Sequence, residues 1–456
     1  MSKLLVLALA ACLLGSVAAA QTAVDLSVGE ARTLALQALL SGDSATALTI
    51  ARAILAQAPD DRDALAIVAA AAPQLGDPRA GRIAGARAFA LSQTDAQRYE
   101  AARLTALAAA NEQRFTLGTF WLRRALIAAQ TEAERTQTRA DARLLQQQNP
   151  WAFGVAATVL PSSNVNGGAS DNKVPDLFGL TGTLSDAALK QPGLRNSFDI
   201  SASYRLQESP ASRTIIGAQY QLNRVTLTND VDLPRNAFAT NTAELSLRHD
   251  QALTTGSVTG RLSVGRFVYR QLINNETQSE NRFSDSIRLG VDRRLPLGSS
   301  AELTLSFDRG LTNYDDDAVG QVRRSSFGAS VVQILPSGDT VLSAISYAKS
   351  DATNPSYRAT DWTIRGGYFW ADPIGPVDVS VTGGVTWSDY PDYGLFAGPD
   401  GRQDTSVFTT LNLGFAQVSY AGFTPSLTIT GTATDSNVSR FTRDAIFAGV
   451  SIRSDF

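Results

Sequence analysis

The chain carries one histidine, His249, and one cysteine, Cys12. Little catalytic chemistry can be built on that pair. A Ser–His nucleophile or a histidine-containing metal site needs the imidazole aimed into an enclosed site. His249 shares parity with Leu245 and Leu247, so strand alternation turns it outward with the apolar side chains. The run Asp315-Asp316-Asp317 offers oxygen ligands of the kind Ca²⁺ takes, but such a run is more often simply a solvated loop, and that is the reading preferred. Protease or lipase chemistry has no residues to rest on. No cofactor or metal is expected, and the chain is read as a non-enzyme.

The residues that carry information are those that set a period. Ile446, Ala448, Val450, Ile452 and Phe456 are apolar, with Phe447, Gly449, Ser451, Arg453 and Asp455 between them. Alternation of period two marks a strand with two unlike faces. An apolar outer face closing on an aromatic carboxyl end is the pattern of the last strand of an outer-membrane barrel. Phe456, Ile452 and Val450 are therefore read as the barrel-assembly signal. Outer-membrane lipid, the barrel-assembly machinery and periplasmic chaperones are the partners this implies.

The first 20 residues have a cationic start at Lys3, an apolar stretch and the small run Ala18-Ala19-Ala20 before Gln21. That is a secretory signal (1–20) with cleavage between Ala20 and Gln21. Cys12 leaves with it, so the mature chain has no thiol chemistry. A formal charge of -3 argues against nucleic acid as a partner. No later segment approaches the roughly 18 apolar residues of a spanning helix.

Two halves with different periods follow. Residues 21–148 are rich in Ala, Leu, Gln and Arg, with apolar positions three and four apart, such as Ala47, Ile50, Ala51 and Ile54; this is the amphipathic-helix pattern. Gly42-Asp43 and Gly76-Asp77 stand 34 residues apart, and Ala110-Asn111 continues the step. Pro59 stops the second helix of the first unit. The reading is three tetratricopeptide-like helical hairpins and a capping helix near 131–148, in the periplasm, with a concave peptide-binding face. An ordinary helical bundle is the alternative.

Residues 149–456 switch to Gly, Ser, Thr, Asp and aromatics in alternating segments. Phe198, Ile200, Ala202 and Tyr204 oppose Asp199, Ser201, Ser203 and Arg205; Leu303, Leu305 and Phe307 oppose Glu302, Thr304 and Asp308. Fourteen such segments run from 151–160 to 442–456, joined by alternately short and long connections, and an even number returns both ends to the periplasm. A fourteen-stranded antiparallel transmembrane β-barrel after a helical domain is the expected fold. The inward faces carry both signs, Arg205, Arg248, Arg261, Arg288, Arg294, Arg365 and Arg453 against Asp199, Glu244, Asp292, Glu302, Asp308 and Asp455. Mixed charge suits a hydrated lumen stabilised by cross-strand pairs.

The order of domains, the stretch Pro161, Ser163, Asn164 and Asn166 after the first strand, and the last hairpin resemble the surface lipoprotein assembly modifier (Slam) family. In that hairpin stand Gly422 and Pro425, then Asp435, Ser436 and Asn437, then Arg443-Asp444 and Phe456. The resemblance implies a translocation or assembly factor. Its repeats would hold client proteins, surface lipoproteins or secreted scavenging proteins, which then thread the lumen or pass between strands 1 and 14. A polysaccharide-export or passive diffusion porin with a periplasmic repeat domain shares the architecture and is the alternative.

Overall fold

Five of the first helices begin on a side chain that accepts a backbone amide: Ser27, Asp43, Asp61, Asp77 and Thr94. Each satisfies one of the donors a helix start leaves over. The helices are α1 (Val28–Leu40), α2 (Ser44–Gln57), α3 (Arg62–Gln74), α4 (Pro78–Leu91), α5 (Asp95–Asn111), α6 (Phe115–Ala128) and α7 (Glu132–Gln148). The computed structural model describes residues 26–454 except 172, 178–179, 235, 274–275, 395–399, 419 and 421; the side chains of 173–177, 180–182 and 453–454 also lie outside the description. Ala20, Gln21, Asp455 and Phe456 therefore lie outside the described residues, as does the side chain of Arg453.

The chain divides into two compact units, Met1–Glu112 and Gln113–Phe456. The expected boundary at 148/149 marks the change from helix to strand, whereas compactness groups α6 and α7 with the barrel. In the first unit the turns between α1 and α2 and between α3 and α4 pass through Gly42 (φ 85°) and Gly76 (φ 84°), a conformation open to glycine at little cost. The third turn departs from the expected 34-residue step. α5 is 17 residues long against 13 for α1 and α3, so it runs through Ala110-Asn111, and Gln113 takes the positive φ of 60°. The interior is built on alanine: Ala47, Ala51, Ala64, Ala71, Ala72 and Ala88 are fully buried. Small side chains let the axes approach closely; a Cβ on Gly85 of α4 would collide with the Thr105 hydroxyl of α5.

In the second unit α6 and α7 precede fourteen strands that close on themselves. These are β1 (Trp151–Ser162), β4 (Gly193–Glu208), β5 (Ser212–Leu227), β6 (Thr240–Ala252), β7 (Ser257–Ile273), β8 (Gln278–Leu297) and β9 (Ala301–Tyr314). They continue with β10 (Gln321–Ile334), β11 (Thr340–Ala352), β12 (Ala359–Phe369), β13 (Asp378–Tyr390), β14 (Arg402–Gly414), β15 (Phe423–Ser436) and β16 (Arg443–Ser454). Each strand pairs antiparallel with its neighbours, and β16 returns to β1. A two-stranded piece, β2 (Lys173–Leu177) and β3 (Leu180–Thr183), lies in the long connection after β1 and was not legible in the alternation.

The rim where β1 starts is here the near rim, and the opposite one the far rim. The regular short/long alternation expected of the connections does not hold throughout. At the far rim β7 and β8, 17 and 20 residues long, leave only 274–277 between them. At the near rim 370–377 and 415–422 are longer than several far connections.

Candidate functional site

The wall of the barrel has two chemistries. Leu245, Leu247, Ile287, Leu289, Ile364 and Val450 are all more than 40% exposed and share one parity across the ladders. Ile452 lies on this outer face with Val450. Aromatic pairs stand on the same face, among them Trp151 with Tyr204, centroids 4.8 Å apart, Tyr347 with Trp362, 4.9 Å, and Tyr368 with Trp370, 4.7 Å. Such rings suit the interface between hydrocarbon and water. His249 is exposed on this face, its Nδ1 2.9 Å from the Thr214 hydroxyl, so it points away from the lumen as its parity predicts. A closed antiparallel barrel leaves no edge unpaired, which is what hydrocarbon demands of a strand protein. The second unit is a transmembrane β-barrel. Among the described residues no helix is long and apolar enough to cross a membrane.

The opposite parity lines the lumen, in two arcs. Over β6–β11 most charges are paired: Arg288 with Glu244 at 2.6 Å, Arg261 with Asp292 and with Asp308 at 3.0 Å, and Arg248 with Asp250 at 2.8 Å. Arg324 on β10 reaches Asp361 on β12 at 2.7 Å. Apart from Arg248–Asp250, which are neighbours on β6, these are the cross-strand pairs the mixed inward charge predicts. Over β13–β16 and β1 the lumen carries hydroxyls that bond across strands, Ser406 with Thr434 at 2.9 Å, Thr410 with Thr430 at 3.0 Å and Ser426 with Ser451 at 2.7 Å.

The residues singled out near the first strand meet at the far rim. Asn164 is buried; its Nδ2 donates to the carbonyl oxygens of Gly168 (2.8 Å) and Asp444 (3.1 Å), and its Oδ1 accepts from the Gly168 amide (2.9 Å). Asn166 donates to Ala187 and Leu189 carbonyls at 2.9 and 2.7 Å and accepts from the Gln191 amide at 2.9 Å. Ser163 donates its amide to Ile446 O at 3.1 Å, and Lys190 pairs with Asp444 at 3.2 Å. The two asparagines thus fold the 163–192 connection back and tie it to the last strand. Their role is architectural.

Residues of the last hairpin do similar work. Asn437 accepts the Gln403 amide at 2.8 Å and donates to Gly401 O at 2.9 Å, and the Ser436 hydroxyl accepts the Val438 amide at 3.1 Å. Beside them Arg402 stacks on Phe441 and Tyr390, 3.3 and 4.2 Å to the ring centroids, and pairs with buried Asp404. Nothing in the alternation signalled that cage. Gly422 takes φ 77° in the near turn, and Pro425 O accepts the Phe415 amide at 3.1 Å. The aspartates at 315–317 serve the turn: Asp315 Oδ1 accepts the Phe283 amide at 3.0 Å and Asp316 Oδ1 the Ala318 amide at 2.9 Å.

Closure of the barrel has a weak point. Odd residues of β1 turn their backbone to β16, as Ser163 does to Ile446, and even ones to β4, as the Arg205 amide does to Pro150 O at 2.8 Å. Pro161 is odd, so the amide it lacks falls on the seam. The β1/β16 register accordingly includes Val159↔Val450 and Ser162↔Phe447 but, among the described residues, not positions 160 and 161. Gly449 faces this gap because a Cβ there would collide with Leu160.

At the near rim α6 and α7 lie against both sides of the seam. Arg123 of α6 stacks 4.8 Å above the Phe423 ring where β15 starts. On the other side Arg205 of β4 donates to Gln147 O and Asn149 O, each 2.8 Å, and Asn149 Nδ2 reaches the Thr116 hydroxyl at 3.2 Å. Arg205, expected in the lumen, is thus committed to holding the end of α7.

No protein-family model matches this chain, and no curated protein matches it. Solved structures do. A mutant of the ferric enterobactin receptor from Pseudomonas aeruginosa is 12% identical over 62% of this chain, with a TM-score of 0.34, and the match spans about half (53%) of that receptor's length. A BenF-like porin from Pseudomonas fluorescens is 9% identical over 67% of this chain and 98% of its own, TM-score 0.35. The beta domain of the Bordetella autotransporter BrkA is 10% identical over 68% and 100%, TM-score 0.31. Similarities of this order add nothing beyond the barrel already described.

Proposed function

We propose that this chain is an outer-membrane transport protein that helps client polypeptides reach the cell surface, with its helical unit in the periplasm. The near rim is then periplasmic and the far rim faces outward. The observation that carries the reading is a groove of about 400 Å³ in the first unit, on α1, α3 and α5. It is lined by Leu36, Leu39, Ala66 and Leu104 together with the charged Arg32, Arg62 and Glu100. Leu36 and Leu40 are 48% and 79% exposed, apolar surface that a diffusion pore has no use for. A groove of mixed apolar and charged lining suits a segment of unfolded or partly folded polypeptide.

The route favoured is the lumen. The seam is tied at its outer end through Asn164, Ser163 and Lys190 and flanked below by α6 and α7. Folding of the client outside would give direction without a nucleotide. The test is deletion of residues 26–112 from the chromosomal copy, followed by surface biotinylation of intact cells. Loss of a discrete set of surface proteins, with the barrel still folded and inserted, supports the reading. An unchanged surface protein set rejects it, and loss of surface glycan alone would favour polysaccharide export.

A further inference from the structure

Most lumen charges over β6–β11 cancel one another. Among the described residues away from the near rim, Arg365 on β12 and Asp199 on β4 are the lumen-facing charges with neither an ion-pair nor a side-chain hydrogen-bond partner. Arg294 and Glu302, also without ion-pair partners, sit at the near rim, at the end of β8 and the start of β9.

Three placements set the pair apart. Arg365 and Asp199 each lie six residues after the first residue of strands that both start at the far rim. In the closed order β4, β1, β16, β15, β14, β13, β12, six steps separate the two strands, against seven for opposite walls of fourteen. They also stand at the two junctions between the paired-charge arc and the hydroxyl arc.

Both are open to the lumen. Arg365 lies between Ala344 and Gly384 in the ladders, so neither neighbour covers or neutralises its guanidinium. Thr363, two residues away on the same face, bonds Thr386 at 2.9 Å, and the Phe408 ring lies over Gly384, 2.8 Å from where a Cβ would stand. Asp199 lies between Ala156 and Gln221, with no cation beside it.

We propose that Arg365 and Asp199 are the charge filter of this lumen, a fixed cation and a fixed carboxylate facing each other across it. Arg365 takes the carboxylate or phosphate of a passing solute, for which a guanidinium offers a planar fork of donors. Asp199 takes the ammonium or guanidinium. A dipolar chain bearing both signs, as a polypeptide does, is thereby oriented across the passage. The charges of β6–β11 are largely compensated by ion pairs, and Arg195 and Arg443 are engaged by backbone carbonyls nearer the far rim, so at their own level these two set the sign of the local field on each wall.

The full chain in planar bilayers under a KCl gradient tests this through the zero-current potential. Arg365→Gln should shift the K⁺/Cl⁻ permeability ratio severalfold toward K⁺, and Asp199→Asn severalfold toward Cl⁻. The double variant should return near the starting ratio, and Arg365→Lys should keep it. The shifts should grow as salt falls below about 0.1 M, where the screening length exceeds about 10 Å. Heat-dependent gel mobility checks that each variant folds. Unchanged ratios in both single variants, shifts of the same sign, or no conductance from the full chain would overturn the proposal. It rests on the barrel's inward faces and not on the export reading, so the bilayer and surface-labelling experiments fail separately.

Discussion

Asn164 donates its side-chain amide to the carbonyl oxygen of Asp444 across 3.1 Å, although 280 residues separate them in the chain. The bond joins the connection just after the first strand to the last strand at the far rim, where a barrel must find its own end. Asn164 is 2% exposed, so removing its amide leaves buried partners unmet. Asn164→Ala should lower barrel stability by about 1–3 kcal/mol, read as a lower temperature for loss of the compact gel mobility. An unchanged transition would mean that closure does not depend on this tie.

Pro161 gives the opposite sign. Its missing amide lies on the seam facing Ala448, and a residue with an N–H can complete the ladder there. Pro161→Ala should stabilise the closed barrel by about 0.5–1.5 kcal/mol. The same gel transition, or urea unfolding in detergent, checks it. A lower midpoint would show that proline's fixed φ matters more at this point than the absent donor.

What the sequence made legible follows from which residues act locally. Alternation such as Phe198-Asp199-Ile200 depends only on the strand's own two faces, so fourteen strands and their inward charges could be read directly. The turns at Gly42-Asp43 and Gly76-Asp77 were equally local. The third turn was not, because nothing in Ala110-Asn111 stops a helix: α5 runs on to Asn111 and the chain turns only at Gln113. Arg205 was read as a lumen residue by parity, yet its partners are backbone oxygens of Gln147 and Asn149, which carry no mark in the sequence. Asn164 and Asn166 were noticed as a motif, but the bond of Asn164 to Asp444 needs the closed barrel and that of Asn166 to Gln191 needs the folded-back connection before either exists. The cage of Tyr390 and Phe441 around Arg402 likewise brings together three separate segments.

Asp61 predicts how the helical unit responds to acid. Burial pushes its carboxyl up, but the Arg32 hydrogen bond and the Ala64 amide outweigh that and hold it below the usual carboxylate range. A carboxyl whose folded pKa is depressed adds stability above its unfolded value, about 3.9, and loses it as pH falls through the lower folded value. The first unit should therefore be insensitive to Asp61 protonation from neutral pH to about 4 and weaken below that. Asp61→Asn should remove this acid-dependent part while keeping a cap. Asp61→Ala should cost about 0.5–2 kcal/mol at neutral pH for the lost cap, before the Arg32 contribution. Circular dichroism melts of both variants at pH 7 and pH 3 separate the two effects; identical acid sensitivity in wild type and Asp61→Asn would exclude the Asp61 contribution.

Arg205 predicts what holds the last helix against the barrel. Its guanidinium donates to Gln147 O and Asn149 O at 2.8 Å each and pairs with Glu208, so one side chain covers carbonyls that the end of α7 leaves without helical partners. A charged donor to such oxygens contributes about 1.5–3 kcal/mol. Losing it frees the junction at Asn149 without touching the lipid-facing strands. Arg205→Ala should thus leave the barrel's heat transition nearly unchanged while residues 147–150 become open to limited proteolysis. Arg205→Lys, a single point charge without the planar fork, should protect the junction only in part. Equal protease resistance in wild type and Arg205→Ala would show that the Arg123–Phe423 stack and the Asn149–Thr116 bond suffice to hold α7.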